Sequence, residues 1–202
     1  MEAVRRVIVV GGGTAGYFAA LALKRQLPDL DVTLVESSNI PIIGVGEATT
    51  TLMPPFLHHQ LGIDIVELYR EVRPTWKLGI NFEWGLPGDY RFAYGFGDNN
   101  VVEAYAHDGT IENQSVVAIM MATDRTPIVR GDDGEPLSLL PDLKFAYHLD
   151  NKPLVAYLAN HARRAGIHHV DAVVKDAITI DGENIDRLIL DDERELRADR
   201  AG

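Results

Sequence analysis

Apolar positions along the chain fall into short blocks whose period changes from one block to the next, and the changes mark the elements. Arg6-Val-Ile-Val-Val10 is a continuous β-branched run too short for a helix, the pattern of a strand buried on both faces of a parallel sheet. From Thr14 to Leu27 the period lengthens. Ala15, Ala19, Leu23 and Leu27 recur at four-residue spacing, which predicts a helix with those residues on one face, stopped by Pro28. Asp31-Val-Thr-Leu-Val-Glu36 returns to a strand pattern.

Beyond Glu36 the blocks are less regular. Leu52 to Leu61, with Pro54-Pro55 and His58-His59, predicts a short surface helix, and Asp64 to Val72 a helix with an acidic start ended by Pro74. Thr75 to Trp84 is strand-like, rich in aromatic and branched residues. Gly85 to Asn100 reads as a loop or irregular hairpin, Val116 to Ala122 as a helix, and Arg130 to Pro136 as a solvated turn. Asp150-Asn-Lys-Pro153 supplies a cap and a first-turn proline for a helix to about Arg164 that Gly166 terminates. Ile167 to Val174, Ala177 to Ile180 and Ile185 to Leu190 read as strands joined by polar turns, the second being Asp181-Gly-Glu-Asn184.

The junction between the first strand and the first helix carries the chemistry. Gly11-Gly-Gly-Thr-Ala-Gly16 satisfies G-x-G-x-x-G after a strand and at the mouth of a helix. There Gly11 allows the sharp turn, Gly13 lets a pyrophosphate approach the backbone, and Gly16 lets the helix pack closely on the strand. Phosphates would meet the N–H groups at the helix start, where the dipole favours negative charge. Glu36, twenty residues beyond Gly16, stands where a carboxylate binds adenosine ribose hydroxyls. A glycine turn in another α/β unit, with Glu36 as a solvated strand end, is the plainer alternative; strand, glycines, helix stop and terminal acid together favour the dinucleotide.

Composition narrows the partners. Net charge is −11, a surface that repels nucleic acid and anionic membrane and points to a small-molecule partner. The absence of cysteine excludes disulfides, thiolate metal sites and a cysteine nucleophile. The apolar run before Gly11 is too short for a signal peptide and no stretch approaches a membrane span, so the expected location is cytoplasmic. His58 and His59 have no third ligand at metal spacing, and no metal is expected.

Two further features stand out. Gly44-Val-Gly-Glu-Ala-Thr49 is a second glycine cluster whose backbone either passes close to something flat or charged or forms an ordinary tight loop. Lys77, flanked by Trp76 and Leu78, either snorkels to the surface or is a cationic donor held in a desolvated pocket.

With these segments in hand, the chain resembles the flavin-dependent halogenases of the tryptophan halogenase family over nearly its whole length. Gly11 to Gly16 is similar to the family's nucleotide loop, Ile40-Pro-Ile-Ile-Gly-Val-Gly-Glu-Ala-Thr49 to its flavin-contacting strap, and Lys77-Leu-Gly-Ile-Asn-Phe-Glu-Trp84 to the segment of its catalytic lysine. Tyr147-His-Leu-Asp150 and the helix after it are similar to the stretch before the adenine-contacting strand. The resemblance implies an α/β, Rossmann-like FAD-binding fold of the glutathione-reductase type with a β-meander, truncated before the final parallel strand. Residues 1–50 and 148–202 would form the nucleotide-binding core, and 51–147 the lysine segment and an insertion.

By the same resemblance Gly11, Gly13, Thr14, Ala15, Gly16 and Glu36 would hold the ADP half of FAD. Val45, Gly46, Glu47 and Ala48 would line the flavin, and Val173 would meet the adenine through its backbone. In that family reduced FAD, supplied by a separate flavin reductase, and oxygen convert chloride or bromide to hypohalous acid, which Lys77 would receive and deliver to a small electron-rich aromatic such as tryptophan or indole. An aromatic hydroxylase and a non-catalytic, truncated FAD-binding module are the alternatives. The oligomeric state is left open, a homodimer included.

Two departures from the family pattern matter. Tyr17 stands where tryptophan is usual, and the sequence given ends at Gly202, where the family continues into an apolar strand, its W-x-W-x-I-P stretch, most of the substrate pocket and the glutamate paired with the lysine. A fragment is therefore expected, with Arg6 to Val10 left as an unpaired apolar sheet edge.

Overall fold

The computed structural model describes residues 4–41, 44, 46–86, 88–97, 116–138, 143–180 and 182–199. Residues 98–100 of the expected aromatic loop, Asp181 and the last three residues lie outside that set. In chain order the elements are β1 (Arg6–Val10), α1 (Thr14–Gln26), β2 (Asp31–Glu36), β3 (Glu47–Ala48) and α2 (Met53–Pro55), which runs on into a π-helical segment, Phe56–Gln60. Next come α3 (Ile65–Glu71), β4 (Thr75–Lys77), β5 (Gly79–Trp84), β6 (Tyr90–Gly95), α4 (Val116–Ala122), β7 (Ile128–Arg130), β8 (Pro136–Ser138) and β9 (Ala146–Leu149). The last elements are α5 (Asn151–Arg164), β10 (His168–Asp171), β11 (Val174–Thr179), β12 (Ile185–Leu190) and β13 (Glu195–Leu196). They fall into two compact units, one of Met1–Gly46, Leu57–Arg73 and Asp150–Gly202, the other of Glu47–Phe56 and Pro74–Leu149.

In the first unit β2 is the centre of a three-stranded parallel sheet, flanked by β1 and β10. Val32, Leu34 and Val35 are fully buried. Because successive strand residues face opposite sides, burial of both Leu34 and Val35 requires cover on both faces. On one side α1 packs on β2 and α5. On the other, Val35 joins Ala172 and Leu190 in a cluster that also takes in Ile8, Val174 and Leu196, which seats the antiparallel meander β11-β12-β13 against the sheet. The ends of α5 follow its sequence: the Asp150 carboxylate accepts the Lys152 N–H at 3.1 Å. Gly166, with φ of 78°, closes the other end, donating to Arg163 O while Ile167 N–H reaches back to Ala162 O.

Four expectations are corrected here. The buried face of α1 is Tyr17, Ala20 and Leu21, whereas Ala15, Ala19 and Leu27 are exposed. The helix is apolar nearly all round, so the four-residue period defines more than one apolar stripe and does not select the one that β2 and α5 cover. β1 is not buried on both faces: it is the outer strand, with Val10 55% exposed. Its edge is not wholly bare, since Asp199 N–H donates to Arg6 O and its carboxylate accepts the N–H groups of Arg5 and Arg6 at 2.8 and 3.0 Å. The expected strand from 167 to 174 is two strands, because the chain leaves the parallel sheet after Ala172 and enters the meander at Val174. Leu52 to Leu61 is not a plain surface helix, because Leu57 in its π-helical part is fully buried.

The second unit is built on β9, a strand absent from the sequence reading. It lies between β3 and β4 in an antiparallel sheet, pairing Ala48 with His148 on one side and Lys77 with Ala146 on the other. Thr75 to Trp84 is broken at Leu78 into β4 and β5, and β5 forms a regular hairpin with β6, Gly79 opposite Gly95 and Trp84 opposite Tyr90. The solvated turn after Arg130 is the tip of a β7-β8 hairpin. Among the described residues no helix is long and apolar enough to cross a membrane.

Candidate functional site

The glycine turn is pinned to the sheet by the Gly11 N–H, which donates to Val35 O at 2.8 Å. Gly11 has φ of 122°, a conformation that side-chain-bearing residues avoid. Gly16 lies so close to the Gly11 carbonyl that any Cβ there would overlap its oxygen. Gly13 is the N-cap of α1, with φ of −81°, and a Cβ on it would meet no atom within 4 Å. No side chain caps α1 and no acid stands in its first turn, while Lys24 and Arg25 occupy its last. Among the described residues nothing claims the N–H groups of this helix start or crowds the glycine at its approach, an arrangement that fits a phosphate group. Thr14 and Ala15, the first two residues of the helix, are at that opening.

Glu36 faces the same loop. A Cβ on Gly12 would collide with its carboxylate, so the second glycine of the turn, to which sequence reasoning gave no role, is what admits the acid. Oε1 of Glu36 accepts from the Tyr17 hydroxyl at 2.6 Å and lies 2.6 Å from His169 Nε2. A carboxylate only accepts, so that imidazole nitrogen carries a proton. Tyr17 is 2% exposed, and burial together with its bond to Glu36 raises the phenol pKa far above its ordinary value, which keeps the hydroxyl a donor. Glu36 also lines a cavity of about 230 Å³, together with Tyr17, Leu34, Ala162, Arg163 and His169.

A third contact joins the helix start to α5. Asn151, 5% exposed, donates from Nδ2 to Thr14 Oγ1 at 3.1 Å, and its amide occupies the space a Cβ on Gly44 would need. Of the expected flavin-lining residues, Val45 lies outside the described residues. Gly46 is exposed with φ of 115°, and Glu47 and Ala48 form β3 in the other unit. At Val173 both backbone groups are engaged by Asp191: the N–H donates to its carboxylate at 3.1 Å, and the carbonyl accepts its N–H at 2.9 Å. A purine contact there is left with the second lone pair of the carbonyl.

In the second unit the half-buried Lys77 donates from Nζ to Thr49 O at 3.0 Å, with the Phe96 ring centroid 5.6 Å away. Thr49 is itself fixed: its hydroxyl donates to Tyr147 O and accepts the Tyr147 N–H, each at 2.9 Å. The ammonium thus sits on a backbone carbonyl at the end of the second glycine cluster, with the aromatic face as a further cation partner. One of its three donors is used by Thr49.

Among the described residues no group of histidines and carboxylates could hold a metal ion. His58 is turned inward, its Nδ1 hydrogen-bonded to Ile63 O at 2.8 Å.

Comparison with known proteins bears out the family resemblance. Residues 6–201 match the family model described as tryptophan halogenase. The crystal structure of MibH, a lanthipeptide tryptophan 5-halogenase, superposes with a TM-score of 0.86 at 49% identity, over 98% of this chain and 38% of that one. Xcc4156, a flavin-dependent halogenase from Xanthomonas campestris, superposes with a TM-score of 0.79 at 28% identity, over 98% of this chain and 41% of that one. The tryptophan 7-halogenase RebH of Lentzea aerocolonigenes is 27% identical over 190 residues, 83% of this chain and 36% of its own length. The chain therefore spans about two fifths of the length of these relatives.

Proposed function

The chain belongs to the tryptophan halogenase family, and from that premise we propose that it forms the FAD-binding, lysine-bearing part of a flavin-dependent halogenase acting on tryptophan or a related indole. The observation that carries the reading is the open α1 N-terminus beside the Glu36 carboxylate. It matches a pyrophosphate and an adenosine ribose held side by side, in a Rossmann-like arrangement.

In this reading the N–H groups of Thr14, Ala15 and Gly16 hold the pyrophosphate and Glu36 the ribose hydroxyls. Reduced FAD from a separate reductase supplies, with oxygen, the power to oxidise chloride or bromide. Lys77 acts on the resulting oxidant: its ammonium, anchored at Thr49 O, keeps further N–H bonds with which to hold hypohalous acid and make its halogen more electrophilic. The substitution then falls on an electron-rich ring. The higher identity to MibH than to RebH makes a tryptophan carried in a peptide the first substrate to try, ahead of the free amino acid.

The test is mass spectrometry of product formed with a flavin reductase, bromide and either substrate. A brominated indole is expected. Gain of oxygen without halogen would favour a hydroxylase, and no product with FAD bound would favour a binding module.

A further inference from the structure

We infer that Tyr17 and His169 are positioning residues for adenosine recognition, clamping Glu36 so that its free oxygen is presented to the ribose hydroxyls. The inference rests on the reading of the glycine turn and Glu36 as the ADP site.

Three observations carry it. Both donors converge on one oxygen of Glu36, Oε1, at 2.6 Å each, while Oε2 lies against Gly12 on the loop side. The two carboxylate oxygens thus have different environments, one saturated by protein donors and the other directed to where the nucleotide would lie. Glu36 also lines a cavity of about 230 Å³, so part of its side chain borders empty space. A side chain with several rotatable bonds next to empty space keeps its rotamer freedom unless hydrogen bonds remove it, and a bound ribose would otherwise have to offset that entropy. Finally, the two anchors come from separate elements, each packed against β2. Tyr17 is in the first turns of α1, and His169 is opposite Leu34 on β10, on the same sheet face as Glu36 two residues on. The clamp therefore ties carboxylate, helix start and third strand into one geometry. Charge-assisted bonds of this length are the strong kind, and fixing an acceptor before the ligand arrives raises affinity without adding a contact.

The test separates the clamp from the ribose role of Glu36. Binding of ADP and of 2′,3′-dideoxy-ADP is measured by competition against FAD fluorescence for the wild type, Tyr17→Phe, His169→Ala, His169→Gln and Glu36→Gln. The wild type is expected to prefer ADP by at least about tenfold, the size of one charged hydrogen bond. In Glu36→Gln, Tyr17→Phe and His169→Ala the preference falls toward one, and His169→Gln, which keeps an N–H donor at similar reach, restores most of it. A simple loss of fold would weaken both nucleotides alike and leave their ratio unchanged. A preference lost in Glu36→Gln but kept in Tyr17→Phe and His169→Ala overturns the clamp alone. A wild-type preference near one overturns the ribose role of Glu36 and the clamp with it.

Discussion

Lys77 and Thr49 are joined by a hydrogen bond of 3.0 Å from the ammonium to the backbone carbonyl, across twenty-eight residues of sequence. The bond turns the half-buried side chain onto the protein, with its ammonium over the Phe96 ring. Lys77→Ala in the halogenating enzyme is expected to cut product formation by about two orders of magnitude or more, the usual scale for a positioned proton donor, while the FAD dissociation constant stays within about twofold. Turnover and FAD titration on the same variant check this.

Thr49→Val removes both hydroxyl bonds to Tyr147 at constant shape, including the one donated by the buried Tyr147 N–H. A loss of roughly 1–3 kcal/mol is expected, measured by urea unfolding. The sheet β3-β9-β4 is what the pair staples, so the loss appears first in the amide exchange of Ala146 to Leu149.

Gly13 and Gly16 divide fold from ligand. Gly13→Ala adds a methyl that meets no protein atom within 4 Å, in a backbone conformation alanine accepts. Its melting temperature should match the wild type while FAD affinity falls at least about tenfold, because the methyl would stand where the proposed site admits the phosphate. Gly16→Ala overlaps the Gly11 carbonyl and should lower both stability and binding. Thermal melts and titrations of the two variants side by side provide the check.

The Glu67 carboxylate accepts from Arg164 at 2.7 Å and from the Tyr157 hydroxyl at 3.1 Å, tying α3 to α5. Arg164 in particular holds its pKa below the ordinary 4.5. A carboxyl depressed in the folded state stabilises above its unfolded-state pKa and loses that contribution as pH falls through the folded one. Wild type should therefore melt above Glu67→Gln at pH 7, with the gap closing as the pH is lowered below 4.5. Melting curves across that range check the sign.

Much of the first unit was legible because its signals are local. β1, β2 and the end of α5 at Arg164 fall where branched runs, Pro28 and Gly166 place them, since each boundary is set by backbone chemistry within a few residues. What escaped depends on distant partners. β9 is a short strand whose identity comes from pairing with β3 and β4, and nothing in Ala146–Leu149 announces it. The buried face of α1 is chosen by β2 and α5. In the site, Gly11, Gly13, Gly16 and Glu36 were found by their spacing, whereas His169 meets Glu36 from 133 residues away and Asn151 meets Thr14 from 137. Gly12 was passed over because the motif leaves its position free, although here the Glu36 carboxylate requires it.

The central claim is that the turn from Gly11 to Gly16 and Glu36 form a site for the ADP half of FAD. Fluorescence titration of the chain with FAD and, separately, with FMN tests it most directly, because FMN has the same ring system and lacks the ADP. Saturable one-to-one binding of FAD, displaced by ADP, is expected, with FMN weaker by at least about a hundredfold, or about 2.7 kcal/mol. Equal affinity for the two, or no binding of FAD, would contradict it.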